Sequence, residues 1–172
     1  MLIAPPSKID YGFYNGYVFK VTDTDLITAL NQNFVAIKQL ADSLTEDELN
    51  SRYDTGKWSI KEIFFHLVDS ERNFGYRIMR ISRGDQGMLP MFNIHDFIIN
   101  ANVTEKSITN IIKELELLRQ ATILSFQGMG QEMLDRTGPA RDVMISVRAL
   151  GFAIIGHAIH HMDIIREKYL YR

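Results

Sequence analysis

Cysteine is absent from the 172 residues, and that single absence removes disulfides, thiolate metal ligands and a cysteine nucleophile together. Any sulfur chemistry must use a thiol from outside the chain. Proline occurs only at Pro5, Pro6, Pro90 and Pro139, so long segments are free of the residue that breaks helices. Neither sign of charge dominates: Lys and Arg total 19 against 21 Asp and Glu, 10 against 12 up to Gln86 and 9 against 9 beyond it. A basic stripe that would neutralise phosphates is missing, which argues against a nucleic-acid binder. The longest uncharged apolar-rich stretch, Ala149 to Met162, is too short to cross a bilayer, and Met1-Leu-Ile-Ala-Pro-Pro lacks the cationic flank and apolar run of a signal peptide. The expectation is one cytoplasmic domain over residues 1–172 with no membrane partner, large enough to bury about two-thirds of its unfolded surface.

Between the prolines, apolar residues recur at helical spacing, and strand-like alternation is almost absent. The pattern predicts a first helix from Asp25 to Ser43, capped by Thr24, with Leu26, Ile27, Leu30, Phe34, Ile37 and Leu40 inward. A short helical turn follows at Thr45-Glu-Asp-Glu-Leu. The second helix starts at Ser59, where Glu62 three residues on completes a capping box, and continues to Ser82. Residues Arg83 to Asn102 hold Gly84, Gly87 and Pro90, and a link of that length is expected to cross the molecule or cover a site. A third helix is predicted from Thr104 to Phe126 and a fourth from Ile145 to Tyr169, the latter apolar on nearly every face. Together they predict an all-α fold, a four-helix bundle with a long crossover between the second and third helices. Phe64, Phe65, Met79 and Phe152 read as core.

Three of the five histidines, His157, His160 and His161, sit within five residues on that apolar fourth helix. His157 and His161 lie one turn apart and about 40° around the helix, so both rings reach one point. Their row, Leu150, Ile154, His157, His161, Ile164, is otherwise apolar and faces inward. His160 follows a row of small residues, Ala149, Ala153 and Gly156, and precedes Asp163 and Glu167: close helix contact first, then a wet edge. Buried imidazoles need partners, and a divalent ion satisfies each at about 2.0–2.1 Å. His66 on the second helix is the candidate third ligand, with His160 the alternative to His161. Three ligands leave a position open, as in catalytic sites. The competing reading is three core histidines held by helix-to-helix hydrogen bonds. Ala158 stands where a zinc protease's H-E-x-x-H carries its glutamate, which excludes that motif. Glu62 and Asp69 are placed to orient a ligand histidine through its second nitrogen. Arg72, Arg77, Arg80 and Arg83 form a polar helix face whose default role is solvation or pairing with acids; Arg72 and Arg77 are its candidate contacts to an anionic cosubstrate. His95, near Pro90 and Asp96, reads as a surface or lid residue.

Two segments, Trp58-Ser-Ile-Lys-Glu-Ile-Phe-Phe-His66-Leu-Val-Asp-Ser-Glu71-Arg72 and Gly156-His157-Ala-Ile-His160-His161, resemble the DinB/YfiT-like family in order and separation, and the likeness spans Leu26 to Tyr169. The resemblance implies a bundle whose first and last helices are neighbours. It also implies a metal site at His66, His157 and His161. Relatives commonly form homodimers; those with a known activity are transferases or isomerases using a low-molecular-weight thiol such as bacillithiol or mycothiol, and most have no established reaction. This chain departs at Met162-Asp163, where many relatives carry a basic residue and a Gly-Gln pair.

Two functions follow as expectations. The first is a metal-dependent enzyme for a small-molecule substrate, with a divalent ion (Zn, Ni, Mn or Fe) activating water or an external low-molecular-weight thiol, hence a hydrolase or a thiol transferase. The second is a non-enzymatic metal- or ligand-binding bundle of a stress-related kind.

Overall fold

The computed structural model describes residues 2–6, 11–23, 25–88 and 93–171. A 3-10 turn at Gly12–Tyr14 leads into α1 (Asn15–Val18), followed by α2 (Leu26–Asp42), α3 (Glu46–Asn50), α4 (Ile60–Ser82) and α5 (Ile94–Asn100). A second 3-10 turn at Val103–Glu105 precedes α6 (Ile108–Gln127), α7 (Gln131–Asp135), the strands β1 (Thr137–Ala140) and β2 (Val143–Ser146), and α8 (Val147–Ile164). The last of these runs on into a π-helical turn at Ile165–Leu170.

Side chains set each helix start by satisfying its orphan N–H groups. Asp25 caps α2, its carboxylate accepting from Thr28 N at 3.0 Å and also from Ile3 N at 2.9 Å, which ties down the N-terminal segment. Thr24, the expected cap, lies outside the described residues. Thr45 with Glu48 and Ser59 with Glu62 form complete capping boxes on α3 and α4, the latter as predicted. The third long helix begins later than its apolar pattern suggests. Asn102 turns left-handed at φ 49°, Thr104 and Glu105 sit in the 3-10 turn, and Ser107 provides the cap. The fourth begins at Val147, because Ile145 pairs with Gly138 in a hairpin that the sequence pattern did not signal. Gly138 is the reason strand and helix can meet there: a Cβ would stand 2.6 Å from Ile81 Cγ1.

The long helices pack in the ring α2, α6, α4, α8, so the first and last are neighbours as the family resemblance implies, and α2 stands across from α4. Their apolar faces form two clusters. One gathers Leu26, Leu30, Ile78, Phe126 and the α8 residues up to Ile155; the other gathers Ile37, Phe64, Val68, Ile111, Ala158 and Met162. Each long helix crosses from one cluster to the other at a buried polar residue: Asn33 on α2, Glu71 on α4, Arg119 on α6 and His157 on α8. Burial of such groups is costly unless each is paired, so this layer is where partners are to be sought. Phe64, Phe65 and Phe152 are core as expected, whereas Met79 is 38% exposed.

The small-residue row of α8 makes its close contact with α1. A Cβ on Gly156 would meet the Tyr17 carbonyl oxygen at 1.9 Å, so only glycine lets that backbone approach. Tyr17 is thereby laid against the histidines. At the other end, Tyr169 O–H donates to the Trp58 carbonyl and anchors the π-helical turn to the start of α4.

Candidate metal centre

His66 projects from α4 and His157 and His161 from α8, two helices that pack directly on one another. The Nε2 atoms converge: His157 Nε2 lies 3.2 Å from His66 Nε2 and 3.2 Å from His161 Nε2. Two ligands at about 2.0–2.1 Å from a common centre and this far apart subtend an angle of about 100°, between the tetrahedral and octahedral values. The three ligand atoms lie within 4.8 Å of one another. His160 lies next to the group, ring to ring with His161 at 5.3 Å and with Tyr17 at 5.7 Å, and does not share the convergence point.

Burial keeps these rings neutral, with lone pairs to offer. It lowers the His66 pKa to about 4, helped by His95, and the His161 pKa to about 3, helped by His66 and His160. His157 is pushed well below the usual histidine value by burial and by its three neighbours. Packed this closely, the rings repel any second proton. Neutral imidazole is the form that binds a divalent ion, and a nitrogen-only donor set suits Zn, Ni or Fe. The chemistry of the cluster therefore fits such an ion. Among the described residues, buried His161 Nδ1 has no hydrogen-bond partner.

The cluster lines a cleft of about 460 Å³, within the range of small-molecule sites. Trp58, Tyr17 and Phe74 wall it, with ring centres 5.0 Å from His66, 5.2 Å from His157 and 5.9 Å from His157 respectively. The long link after α4 does cover the site: Asn93, Ile94, His95 and Phe97 line the cleft, and His95 reaches the Trp58 ring at 5.2 Å. Its residues 89–92 lie outside the described set.

Helix phase decides which expected residues join. From His66, the residues four, seven and eleven further on return to one face, and Ser70, Asn73 and Arg77 accordingly line the cleft, Ser70 Oγ standing 3.3 Å from His66 Nε2. Arg72, six residues on, points elsewhere and pairs with Asp69 and Glu114, so the expectation that it meets an anion in the site is corrected. Glu62 is likewise corrected. Its carboxylate is shared between the Ser59 N–H and the Arg52 guanidinium, and orients no histidine. Asp69 does reach the cleft wall, its carboxyl pKa raised by burial against the opposing pull of Arg72.

Tyr14, Tyr17 and Arg141 are site residues that helical periodicity does not reveal. The two tyrosines belong to a short aromatic stretch, Tyr11 to Phe19, whose density of rings was the available signal. Arg141 sits in the turn of the hairpin.

Comparisons with known proteins agree with this architecture. The fold is similar to that of YfiT from Bacillus subtilis, a candidate metal-dependent hydrolase with an unusual four-helix bundle topology: TM-score 0.77, 16% identity, covering 95% of this chain and 91% of that one. It also resembles the DinB-like protein YjoA of the same organism, with TM-score 0.57 and 18% identity, covering 81% of this chain and 85% of that one. In sequence, a candidate metal-dependent hydrolase of Oceanobacillus iheyensis is 25% identical over 151 residues, 86% of this chain and 87% of the relative. No described helix is long and apolar enough to cross a membrane. The DinB superfamily model matches residues 29–165, a stretch that contains all three converging histidines, and the chain belongs to that superfamily.

Proposed function

We propose that this protein is a metal-dependent enzyme acting on a small molecule in the cleft, with His66, His157 and His161 as the ligands of a divalent ion. The observation that carries the reading is the meeting of three neutral Nε2 atoms at 3.2 Å contacts beside a cavity of about 460 Å³. A structural ion would be closed off by a fourth protein ligand, and among the described residues the cluster holds three. A divalent ion there supplies Lewis acidity and lowers the pKa of water or of a low-molecular-weight thiol. Both cosubstrates fit a chain without cysteine. The names of the Oceanobacillus iheyensis relative and of YfiT favour water and hence hydrolysis.

The chain's own groups have separate tasks. Trp58, Phe74 and Tyr17 exclude bulk water from the histidines and orient the substrate by ring contact. Asp69, a carboxylate held on the cleft wall with a raised pKa, is placed to take up a proton released there.

Metal content of the purified protein against its His66→Ala, His157→Ala and His161→Ala variants tests the assignment. One equivalent in the wild type and loss in each variant is expected; equal content in all four rejects it. Titration of a cobalt-substituted sample with a thiol then reads access: a change in the visible spectrum supports an open coordination position, and no change supports a closed, non-catalytic centre.

A further inference from the structure

Arg77 is only 7% exposed, yet among the described residues it forms no ion pair. Its Nε donates to Asn73 Oδ1 at 3.0 Å and its Nη1 stands 3.5 Å from the Tyr14 hydroxyl, both neutral partners. A buried guanidinium without a carboxylate is costly. The other buried arginines are answered differently: Arg119 by Glu71 and Arg148 by Asp135. Arg77 alone among them lines the cleft of the three histidines.

A second guanidinium comes to the same place. Arg141, in the β1–β2 turn at φ 59°, stacks over Phe13 at 4.1 Å and also lines the cleft without an ion pair among the described residues. Both arginines act electrostatically on the buried Tyr14 phenol, opposed there by exposed Asp142. Asp69, the acid on the cleft wall, is engaged by Arg72.

We propose that Arg77 and Arg141, with the Tyr14 hydroxyl, form an anion subsite that binds a carboxylate or phosphate group of the substrate, in the same cleft as the histidines. This rests on reading the cleft as a substrate site. Guanidinium forks match such anions in charge and geometry. The Arg77 backbone stands eleven residues, about 16 Å along the axis, beyond His66 on one helix face, and its guanidinium reaches back one turn to Asn73. The ligand is an organic anion with its charge at the arginines, an apolar or aromatic body between Phe74 and Tyr17, and its reacting group towards the histidines.

Trp58, the single tryptophan, lines the cleft and reports its occupancy by fluorescence. The probes are 4-phenylbutyrate, 3-phenylpropyl phosphate and the neutral 4-phenylbutanol, titrated at fixed ionic strength into zinc-loaded and chelator-treated protein. At least one anion should bind about tenfold more tightly than the alcohol in both forms, as expected of charge-assisted hydrogen bonds; which one identifies the anion. That advantage should shrink severalfold in Arg77→Gln and in Arg141→Gln. Equal binding of anion and alcohol overturns the proposal, and so does an advantage that survives both substitutions. An advantage that vanishes on chelation places the anion on the ion and also overturns it. Should Arg77→Gln fail to fold by circular dichroism, Arg141→Gln, on an exposed turn, decides by the same criterion. If the wild type holds no metal while the arginine-dependent preference persists, the metal reading falls and the subsite stands.

Discussion

Arg119 and Glu71 meet inside the bundle through two parallel hydrogen bonds, Nε to Oε1 at 2.9 Å and Nη2 to Oε2 at 3.1 Å, with both side chains almost wholly buried. The remaining nitrogen, Nη1, donates to the Leu30 carbonyl at 2.7 Å and to Asn33 Oδ1 at 3.2 Å. One guanidinium thus joins α6 to α4 and α2 in the polar layer between the two apolar clusters. The pair also borders a small void shared with His157, so it is part of the wall behind the candidate metal centre.

Breaking that pair by halves should cost far more than replacing it. Arg119→Met leaves Glu71 charged and buried, and the expected loss is about 3–5 kcal/mol of unfolding free energy. The double variant Arg119→Met, Glu71→Leu should recover most of it. Urea denaturation of the three proteins checks this; a double variant no better than the single one would show that the pair is not the reason for the loss.

Acid should destabilise the metal-free protein before its carboxylates matter. Unfolded histidines take protons near pH 6.5, whereas folded His66 does so only at about 4 and His161 at about 3. Between those values the unfolded chain binds protons that the folded one refuses, so stability is complete above about pH 6.5 and falls as the pH drops towards 4. With three such histidines the slope reaches as much as about 4 kcal/mol per pH unit. Urea midpoints at several pH values measure it, and His66→Phe should flatten the dependence. A midpoint indifferent to pH across that window contradicts the burial of the rings.

Gly156→Ala is expected to be among the more damaging one-carbon additions available. The new methyl group would meet the Tyr17 carbonyl, which is backbone and cannot rotate away. Overpacking of this kind costs about 1–3 kcal/mol, and α1 should lift from α8. Thermal unfolding reads the cost, and hydrogen exchange of residues 15–18 reads the displacement. Unchanged exchange there would mean that α8 shifts instead.

His160 and His161 are adjacent in sequence yet should separate cleanly on metal content. His161→Ala removes one of the three converging nitrogens, while His160→Ala removes a ring outside the convergence point. Loss of metal in the second variant but not the first would reverse the assignment on α8.

The positions of the long helices, and the choice of His66, His157 and His161, could be read from apolar spacing, from Ser59 with Glu62, and from an HxxxH pair in an apolar row. Phase along α4, applied to the arginines, puts Arg77 on the face of His66, eleven residues on. The same phase sets Arg72 aside, since six residues is two-thirds of a turn off that face. Glu62 was misjudged because a carboxylate three residues after a helix cap has local partners that outcompete a distant histidine. The hairpin carried no strand signal: Gly138 and Pro139 read as breakers, and only contact with Ile81 and the Ile145 pairing makes that segment extended.

By itself the sequence determined what is periodic and local: which long segments are helical, where α4 starts, and which side chains share a face of one helix. Only the tertiary structure decided which faces meet. A three-nitrogen centre drawn from α4 and α8, a tyrosine wall laid down by α1, and an arginine delivered from a hairpin turn depend on contacts between residues up to 143 positions apart, and no regular repeat along a chain encodes such a contact.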